Sequence, residues 1–456
     1  MKNKIALFIF SLFALVLLAA ALSLRRVDRA PLKGSVHERC TLDRLHSLEL
    51  DPGSGGPLHA GFGLAGLTPP VGTPLAGYGA RKGAPSTGVH DSLFVRVIAL
   101  RAGERTACLV GYDALLLHPP LARQIERGAY QQMGLDPEQL YFTATHTHSG
   151  AGGWGKGWLS EQFAGPRKEG INEMFVDSTL AALSRALRDL HPARYGCGVI
   201  DAPHFIRNRL VGEAGETDDD LFYLALLRDN RPGAVFASYS AHATVLSARN
   251  LEFSGDYPGF FERGLERLSG AKVIFAAAGV GSHSHRGEGS GFERAQRIGT
   301  SLADSIYSRL KRCRLKSSAR LIYGRLAVDL PPHQVLIAAG WRLAPWLARR
   351  LVPVDQVYLQ ILALDRTAFI GSPGEFSGEM ALEVKAEAHE LGWDVTVTSF
   401  NGNYIGYLTP SHYAGLDNYE TRTMSWFGPH TGDYISGLAQ SAVQQLADRF
   451  AEDAGR

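Results

Sequence analysis

Leu140-Tyr141-Phe142-Thr143-Ala144-Thr145-His146-Thr147-His148-Ser149-Gly150 opens as an aromatic and β-branched run and closes in glycine, with Gly152-Gly153 just beyond. Leu140 to Thr147 reads as a strand. Side chains alternate along a strand, so His146 and His148 are expected to share a face. The glycine-rich turn puts both imidazoles at a strand end, where α/β folds assemble their sites. Two such imidazoles can bind one metal together, or one can bind while the other serves a substrate. The plain alternative is a pair of histidines on a half-exposed strand.

Outward from this stretch, strand and helix signals alternate. On its N-terminal side, Pro120 to Met133 reads as a helix, and Leu93 to Leu100 and Thr106 to Gly111 as strands turning at Gly103. On its C-terminal side, Met174, Phe175, Leu180, Leu183 and Leu187 recur at helical spacing within Asn172 to Leu190. Leu221 to Leu227, Ala234 to Tyr239 and Val273 to Ala277 are strand-like, and Phe292 to Leu310 is a long helix. Gln356 to Leu364 and Thr367 to Ile370 form a hairpin around Asp365-Arg366. A helix over Ser377 to Leu391, a strand over Asp394 to Phe400 and a helix over Gly432 to Asp453 complete the pattern. The class is α/β, with mixed parallel and antiparallel sheets and flanking helices. No linker interrupts residues 58–456, so one large catalytic domain is expected there.

Further polar groups recur at strand ends. His242 follows the strand at Ala234 to Tyr239. Glu375 follows Thr367 to Ile370, after Pro373-Gly374. Asp113 ends the strand at Thr106 to Gly111, and Tyr407 lies past the strand that ends at Phe400. Each alone is ordinary, since a glutamate at a helix start is often only matched to the helix dipole. Their joint recurrence points to a shared site.

The bulk numbers narrow the classes. Of 456 residues, 45% are hydrophobic and 20% charged, and the formal net charge is +2. That balance excludes a disordered chain and offers no basic surplus for nucleic acid. Cys40, Cys108, Cys197 and Cys313 form no CxxC pair, which argues against a cysteine-based metal site. At the N-terminus, Lys2 and Lys4 precede an unbroken apolar run from Ile5 to Leu24, and Arg25, Arg26 and Arg29 follow. The run is long enough to cross a bilayer as a helix and exceeds the apolar region of most signal peptides. Residues 1–28 are therefore read as a membrane anchor or signal peptide, and 29–57 as a linker. The catalytic domain is expected to be exported, periplasmic or extracellular, either membrane-anchored or secreted.

The ordered set of motifs resembles the neutral/alkaline non-lysosomal ceramidase family over residues 59–456. The resemblance rests on Gly61-Phe62-Gly63-Leu64-Ala65-Gly66-Leu67-Thr68-Pro69-Pro70 with Gly77-Tyr78-Gly79, and on Thr145-His146-Thr147-His148-Ser149-Gly150. It continues through Arg207-Asn208-Arg209, Gly371-Ser372-Pro373-Gly374-Glu375-Phe376 and Gly428-Pro429. The resemblance implies one catalytic zinc ion (Zn2+), held by His146, His242, Glu375 and Tyr407. The Tyr407 match rests on Asn403-Tyr404-Ile405-Gly406-Tyr407-Leu408-Thr409. The resemblance further implies that His148, Arg209 and Tyr419 act on the scissile amide and its oxyanion. Ser284 aligns with the family's nucleophilic serine. There the sequence departs from the family, because Ser282 and His285 replace the acid/amide and proline that flank that serine. No counterpart of the family's C-terminal immunoglobulin-like domain is expected.

The implied function is zinc-dependent hydrolysis of the amide of an N-acylated lipid, releasing a fatty acid and a sphingoid-type amine at a membrane. Two alternatives accompany it: a zinc amidase or esterase with a non-ceramide substrate, and a non-catalytic, membrane-tethered lipid-binding protein. Donors of the N and O type suit zinc and leave a position for water or substrate.

Overall fold

The strands of a large sheet come in chain order as β1 (Gly56–Gly66), β2 (Phe94–Ala102), β3 (Arg105–Tyr112), β4 (Leu140–Ala144), β5 (His191–Asp201), β6 (Asp220–Arg228), β7 (Arg231–Tyr239) and β8 (Lys272–Ala277). Their spatial order is β8-β7-β6-β5-β1-β2-β3-β4, with the short strand Ser318–Ala319 pairing beside β1. A smaller sheet runs in the order β9 (Leu321–Val328), β10 (Val357–Leu364), β11 (Thr367–Gly371), β12 (Asp394–Thr398). The computed structural model describes residues 2–229, 231–338 and 340–454.

Within these two sheets, among the described residues, three pairs are parallel: β3 with β4, β7 with β8, and β11 with β12. A parallel pair needs a crossover, and each has a helix in its connection. These are α3 (Pro119–Met133), α5 (Asp256–Ser269) and α7 (Gly378–Glu390), numbered in a series that also contains α1 (Lys2–Ser23), α2 (Val36–Ser47), α4 (Ile171–Arg188), α6 (Gly291–Leu310) and α8 (Thr431–Ala454). The remaining pairs in both sheets are antiparallel. The mixed α/β class expected from the sequence is the class observed.

Alternation along the strands builds the layers. Val95, Val97 and Ala99 of β2 face α3 and α4, whereas Ile98 and Leu100 face the smaller sheet. In β10, Leu359, Ile361 and Ala363 face α7 and α8, and Leu362 and Leu364 face inward. The two sheets thus share an inner core with helices on the outer faces. Phe369 of β11 sits in its middle, edge-on to Phe222 at 5.5 Å and to Phe236 at 5.3 Å, in the arrangement aromatic rings prefer. α5 and α6 cover β6, β7 and β8.

Three strands carried weak sequence signals. In β1, a Cβ on Gly61 or Gly63 would fall on the carbonyls of Ala186 or Ala182 in α4, so the glycines let helix and sheet backbones meet. β5 contains Pro192, Gly196 and Gly198, and Gly196 lies against Arg314. β9 lies in a stretch where no strand was expected. In the stretch 29–57, α2 is capped by Ser35, whose side chain accepts from the Glu38 amide, and Leu45 and Leu50 join the core under the smaller sheet. α1 is apolar and exposed, and its span Lys4–Ser23 suffices by length and composition to cross a membrane. All four cysteines are free thiols.

Candidate metal centre

His146, His242 and Glu375 each lie within four residues of the C-terminal end of a strand that belongs to a parallel pair, β4, β7 and β11 respectively. Such ends are where open α/β sheets concentrate ligand sites. Tyr407 lies nine residues past β12 and is brought in by its pairing with Glu375. β4 stops at Ala144, short of the expected Thr147. His146 then takes φ +58°, a left-handed conformation rare for a residue with a Cβ. The two histidines of the motif therefore do not converge by strand alternation. A strained turn at His146 swings its ring back beside His148, and strain of this kind is characteristically kept at functional sites.

The donor atoms meet closely. His148 Nε2 lies 3.3 Å from His146 Nε2 and 3.1 Å from His242 Nε2. Glu375 Oε2 is 3.4 Å from His146 Nε2 and 4.0 Å from His242 Nε2. Among the described residues, His146, His148 and His242 form a metal-competent group whose donors all lie within 4.8 Å. A tetrahedral zinc with bonds of about 2.0–2.2 Å requires donors roughly 3.3–3.6 Å apart. All four residues are buried, and Glu375 Oε2 has no hydrogen-bond partner. A buried carboxylate oxygen without a partner, facing imidazole nitrogens, is satisfied by a cation. On the donor set and on this orphaned oxygen, the residues fit a zinc ion.

Outer hydrogen bonds separate the roles of the three imidazoles. His146 Nδ1–H donates to the Leu115 carbonyl at 2.6 Å, and His242 Nδ1–H to the Val280 carbonyl at 3.3 Å. Both rings are thereby fixed with Nε2 as the lone-pair atom, the arrangement metal-binding histidines adopt. His148 Nδ1 has no partner, so its proton is better placed on Nε2, where it points at the other two rings. Burial, with the Arg209 guanidinium near both, holds His148 and His242 well below the usual histidine value and keeps them neutral. Arg81, itself buried, donates to the carbonyls of His148 and Ala76 and fixes the backbone there.

The carboxylate side is equally ordered. Glu375 and Tyr407 are register partners in a short parallel pair, Glu375–Phe376 with Tyr407–Leu408. Tyr404 donates to Glu375 Oε1 at 2.6 Å. Burial alone would raise the Glu375 carboxyl. His146 and the Tyr404 and Tyr407 phenols outweigh it and hold it below the usual range. Burial pushes the Tyr407 phenol well up, with Arg209 opposing, so it stands protonated. The Arg209 guanidinium lies 5.2 Å from the Tyr407 ring, pairs with Glu420 at 3.3 Å and donates to the Gly281 carbonyl at 3.1 Å. Tyr419 stands edge-on to Tyr407 at 5.8 Å and is 46% exposed.

These groups open onto a cavity of about 810 Å³, lined by His146, His148, His242, Glu375, Tyr407, Arg209 and Tyr419 and walled by apolar side chains such as Leu115, Trp154, Phe163, Val352 and Trp426. Its size is that of a small-molecule site. Of the residues singled out in the sequence, Ser284 does not line it. Ser284 sits on the strand His283–His285, and its Oγ accepts from Arg207 Nε at 3.1 Å. Asp113 is likewise elsewhere, ion-paired with buried Arg96 at 2.6 Å, which also pairs with Glu262 at 2.9 Å. Tyr404 and Arg81 were not singled out. Tyr404 stands inside the motif quoted for Tyr407, but nothing in the spacing says which phenol reaches the carboxylate.

No family model matches the sequence, and no curated protein matches it. Solved structures do. Neutral ceramidase from Pseudomonas aeruginosa superposes with a TM-score of 0.72 at 18% identity, covering 86% of this chain and 75% of that one. A ceramidase complexed with C2 gives a TM-score of 0.69 at 17% identity, with the same coverage of 86% and 75%. The chain has the neutral ceramidase fold.

Proposed function

We propose that the chain is a member of the neutral ceramidase family and a zinc-dependent hydrolase that cleaves the amide of an N-acylated lipid. The observation that carries this is the convergence of three imidazole Nε2 atoms and the partnerless Glu375 Oε2 on the wall of an apolar cavity large enough for an acyl chain. Zinc in that position would polarise the acyl carbonyl and bring the pKa of a water molecule to about 7.

His146, His242 and Glu375 are the ligands in this reading, with Tyr407 the outermost, since a neutral phenol is a weak donor. His148 gives its Nε2 proton to the leaving amine and is returned to the neutral state by the proton that the attacking water loses. Arg209 and Tyr419 hold the oxyanion that develops on the acyl oxygen. Ser284 lies outside the cavity wall, which favours water over an acyl-serine intermediate. α1 would hold the enzyme at a bilayer as an uncleaved anchor, with the catalytic domain on the exported side. The stretch 29–57 belongs to the folded unit in this reading, because α2 contributes Leu45 to the core.

The test is hydrolysis by detergent-solubilised full-length protein at measured zinc stoichiometry, with N-acylsphingosine and a short soluble N-acyl amide as substrates. Release of fatty acid from N-acylsphingosine, lost on chelation and restored by zinc, is the expected result. Cleavage of the short amide alone would move the substrate to a non-lipid N-acyl compound. No zinc and no hydrolysis would leave a lipid-binding protein.

A further inference from the structure

The chain leaving the apolar helix α1 does not hang free. Leu24–Arg26 pairs antiparallel with Trp341–Leu343, residue for residue, and Arg26 stacks on the Trp341 ring at 4.0 Å. The Ala344 amide donates to the Ser23 carbonyl at 2.7 Å, and Trp346 Nε1–H donates to the Leu22 carbonyl at 3.3 Å, inside the last turn of α1. Trp346 is the second residue of the seven-residue helix Pro345–Leu351, and Arg350 stands four residues on, hence on the same side of that helix. Arg350, Leu351 and Val352 line the cavity. One continuous segment, Trp341 to Val352, therefore joins the end of the apolar helix to the rim of the metal site.

The composition of that rim matches a lipid surface. Of the six tryptophans, Trp154, Trp393 and Trp426 are buried, whereas Trp158, Trp341 and Trp346 are 64%, 38% and 60% exposed. Trp158 lines the same cavity, and the other two lie on the segment stapled to α1. Tryptophan concentrates at bilayer interfaces, where its ring is apolar and its N–H finds a polar partner. From Pro331 to Val354 the sequence has Arg342, Arg349 and Arg350 and no acidic residue, and Arg25, Arg26 and Arg29 adjoin it; against these six arginines stand Asp28, beside Arg342, and Asp355, just past Val354. Exposed arginines beside apolar surface complement anionic headgroups.

We infer that the face formed by Trp341, Trp346 and the arginines around them is a bilayer-docking surface, pressed onto an anionic leaflet by α1, so that the cavity mouth opens at the headgroup level. The inference rests on the reading of α1 as a membrane helix and deepens the proposed lipid substrate: an N-acyl lipid would pass from the leaflet past Trp158 and Arg350 without crossing bulk water. The connection is a staple at Leu22 to Arg26, ahead of the linker expected over residues 29–57.

Quenching by brominated lipid tests this without reference to hydrolysis. The full-length protein, in nanodiscs containing an anionic phospholipid and phosphatidylcholine brominated near the top of its acyl chains, should lose a substantial share of its tryptophan fluorescence. Trp346→Phe and Trp341→Phe should each reduce the quenchable share, by about a third if the three exposed rings quench alike. Raising the salt should leave α1 inserted and lower the quenching, if the arginines hold the face down. Equal quenching in wild type and both variants would overturn the docking surface. Quenching as described from a protein that hydrolyses no lipid amide would sustain it and overturn the proposed function alone.

Discussion

Tyr404→Phe isolates one hydrogen bond at the metal centre. The phenol donates to Glu375 Oε1 at 2.6 Å, while the ring packs edge-on to Trp426 at 5.4 Å and stacks on Phe400 at 6.3 Å. Phenylalanine keeps the ring contacts and removes only the donor. A hydrogen bond to a charged group contributes about 1.5–3 kcal/mol, and loss of an outer-sphere partner typically weakens metal binding roughly 10- to 100-fold. At about 1.4 kcal/mol per factor of ten the two estimates agree. Zinc affinity, read by competition with a chelator, should fall by that factor, with little change in the thermal midpoint of the metal-free protein. The pH dependence carries a sign. Burial favours the neutral Glu375 carboxyl, but His146 and the two phenols hold its pKa below the usual glutamate range. The carboxylate is thus available above that usual value and is lost as pH falls through the depressed one. Removing the Tyr404 donor raises the pKa, so zinc should be released at a higher pH than from the wild type. Zinc affinity within twofold of wild type, with an unmoved acid limb, would refute Glu375 as a ligand oriented by Tyr404.

His146→Ala should abolish stoichiometric zinc and activity together, whereas His148→Ala should retain zinc in elemental analysis and lower kcat by about 10²- to 10⁴-fold, the usual range for a general acid. The opposite pattern would make His148 a ligand. Tyr407→Phe should weaken zinc less than Glu375→Ala in the same chelator competition. Ser284→Ala should leave kcat within about twofold, since loss of its bond to Arg207 costs only about 1 kcal/mol of stability; a hundredfold loss of kcat would restore the serine as nucleophile. Gly63→Ala places a Cβ on the Ala182 carbonyl, a backbone atom that cannot rotate away, and should lower the thermal midpoint by overpacking worth about 3 kcal/mol.

What could be read in the sequence followed from burial patterns. β2, β3, β6, β7, β8, β10, β11 and β12 are β-branched or strongly apolar, and the amphipathic helices α3, α4 and α6 carry regular apolar spacing, so both kinds showed in the chain. β1 did not, because Gly61 and Gly63 exist there to admit a helix backbone and contribute nothing to strand propensity. His146 was legible as a site residue but for an incomplete reason: the alternation argument assumed a strand through Thr147, and the left-handed turn that actually aims the ring depends on the packing around Leu115 and Phe400. The separation of roles between His148 and its neighbours rests on which Nδ1 finds a carbonyl, and those carbonyls, at Leu115 and Val280, are 31 and 38 residues away in sequence. Neither could be read from spacing.

The donors also divide between the sheets. His146, His148 and His242 extend from the large sheet, and Glu375 and Tyr407 from the smaller one, so the centre is complete only when the two sheets are docked. Phe369, which joins them, lies on β11, six residues before Glu375. Anything that binds the docked arrangement and not the separated one stabilises it by mass action, about 2.7 kcal/mol when the free ligand stands at a hundred times its dissociation constant. A cation at this centre would therefore act as a clamp between the sheets as well as a reagent, and the inner aromatic core and the metal would support one another. The same coupling gives a physical reason for Glu375 Oε2 to be kept buried and without a protein partner: a hydrogen-bond donor supplied by the chain would satisfy the oxygen in either state of loading, and the energetic link between the metal and the sheet interface would be lost.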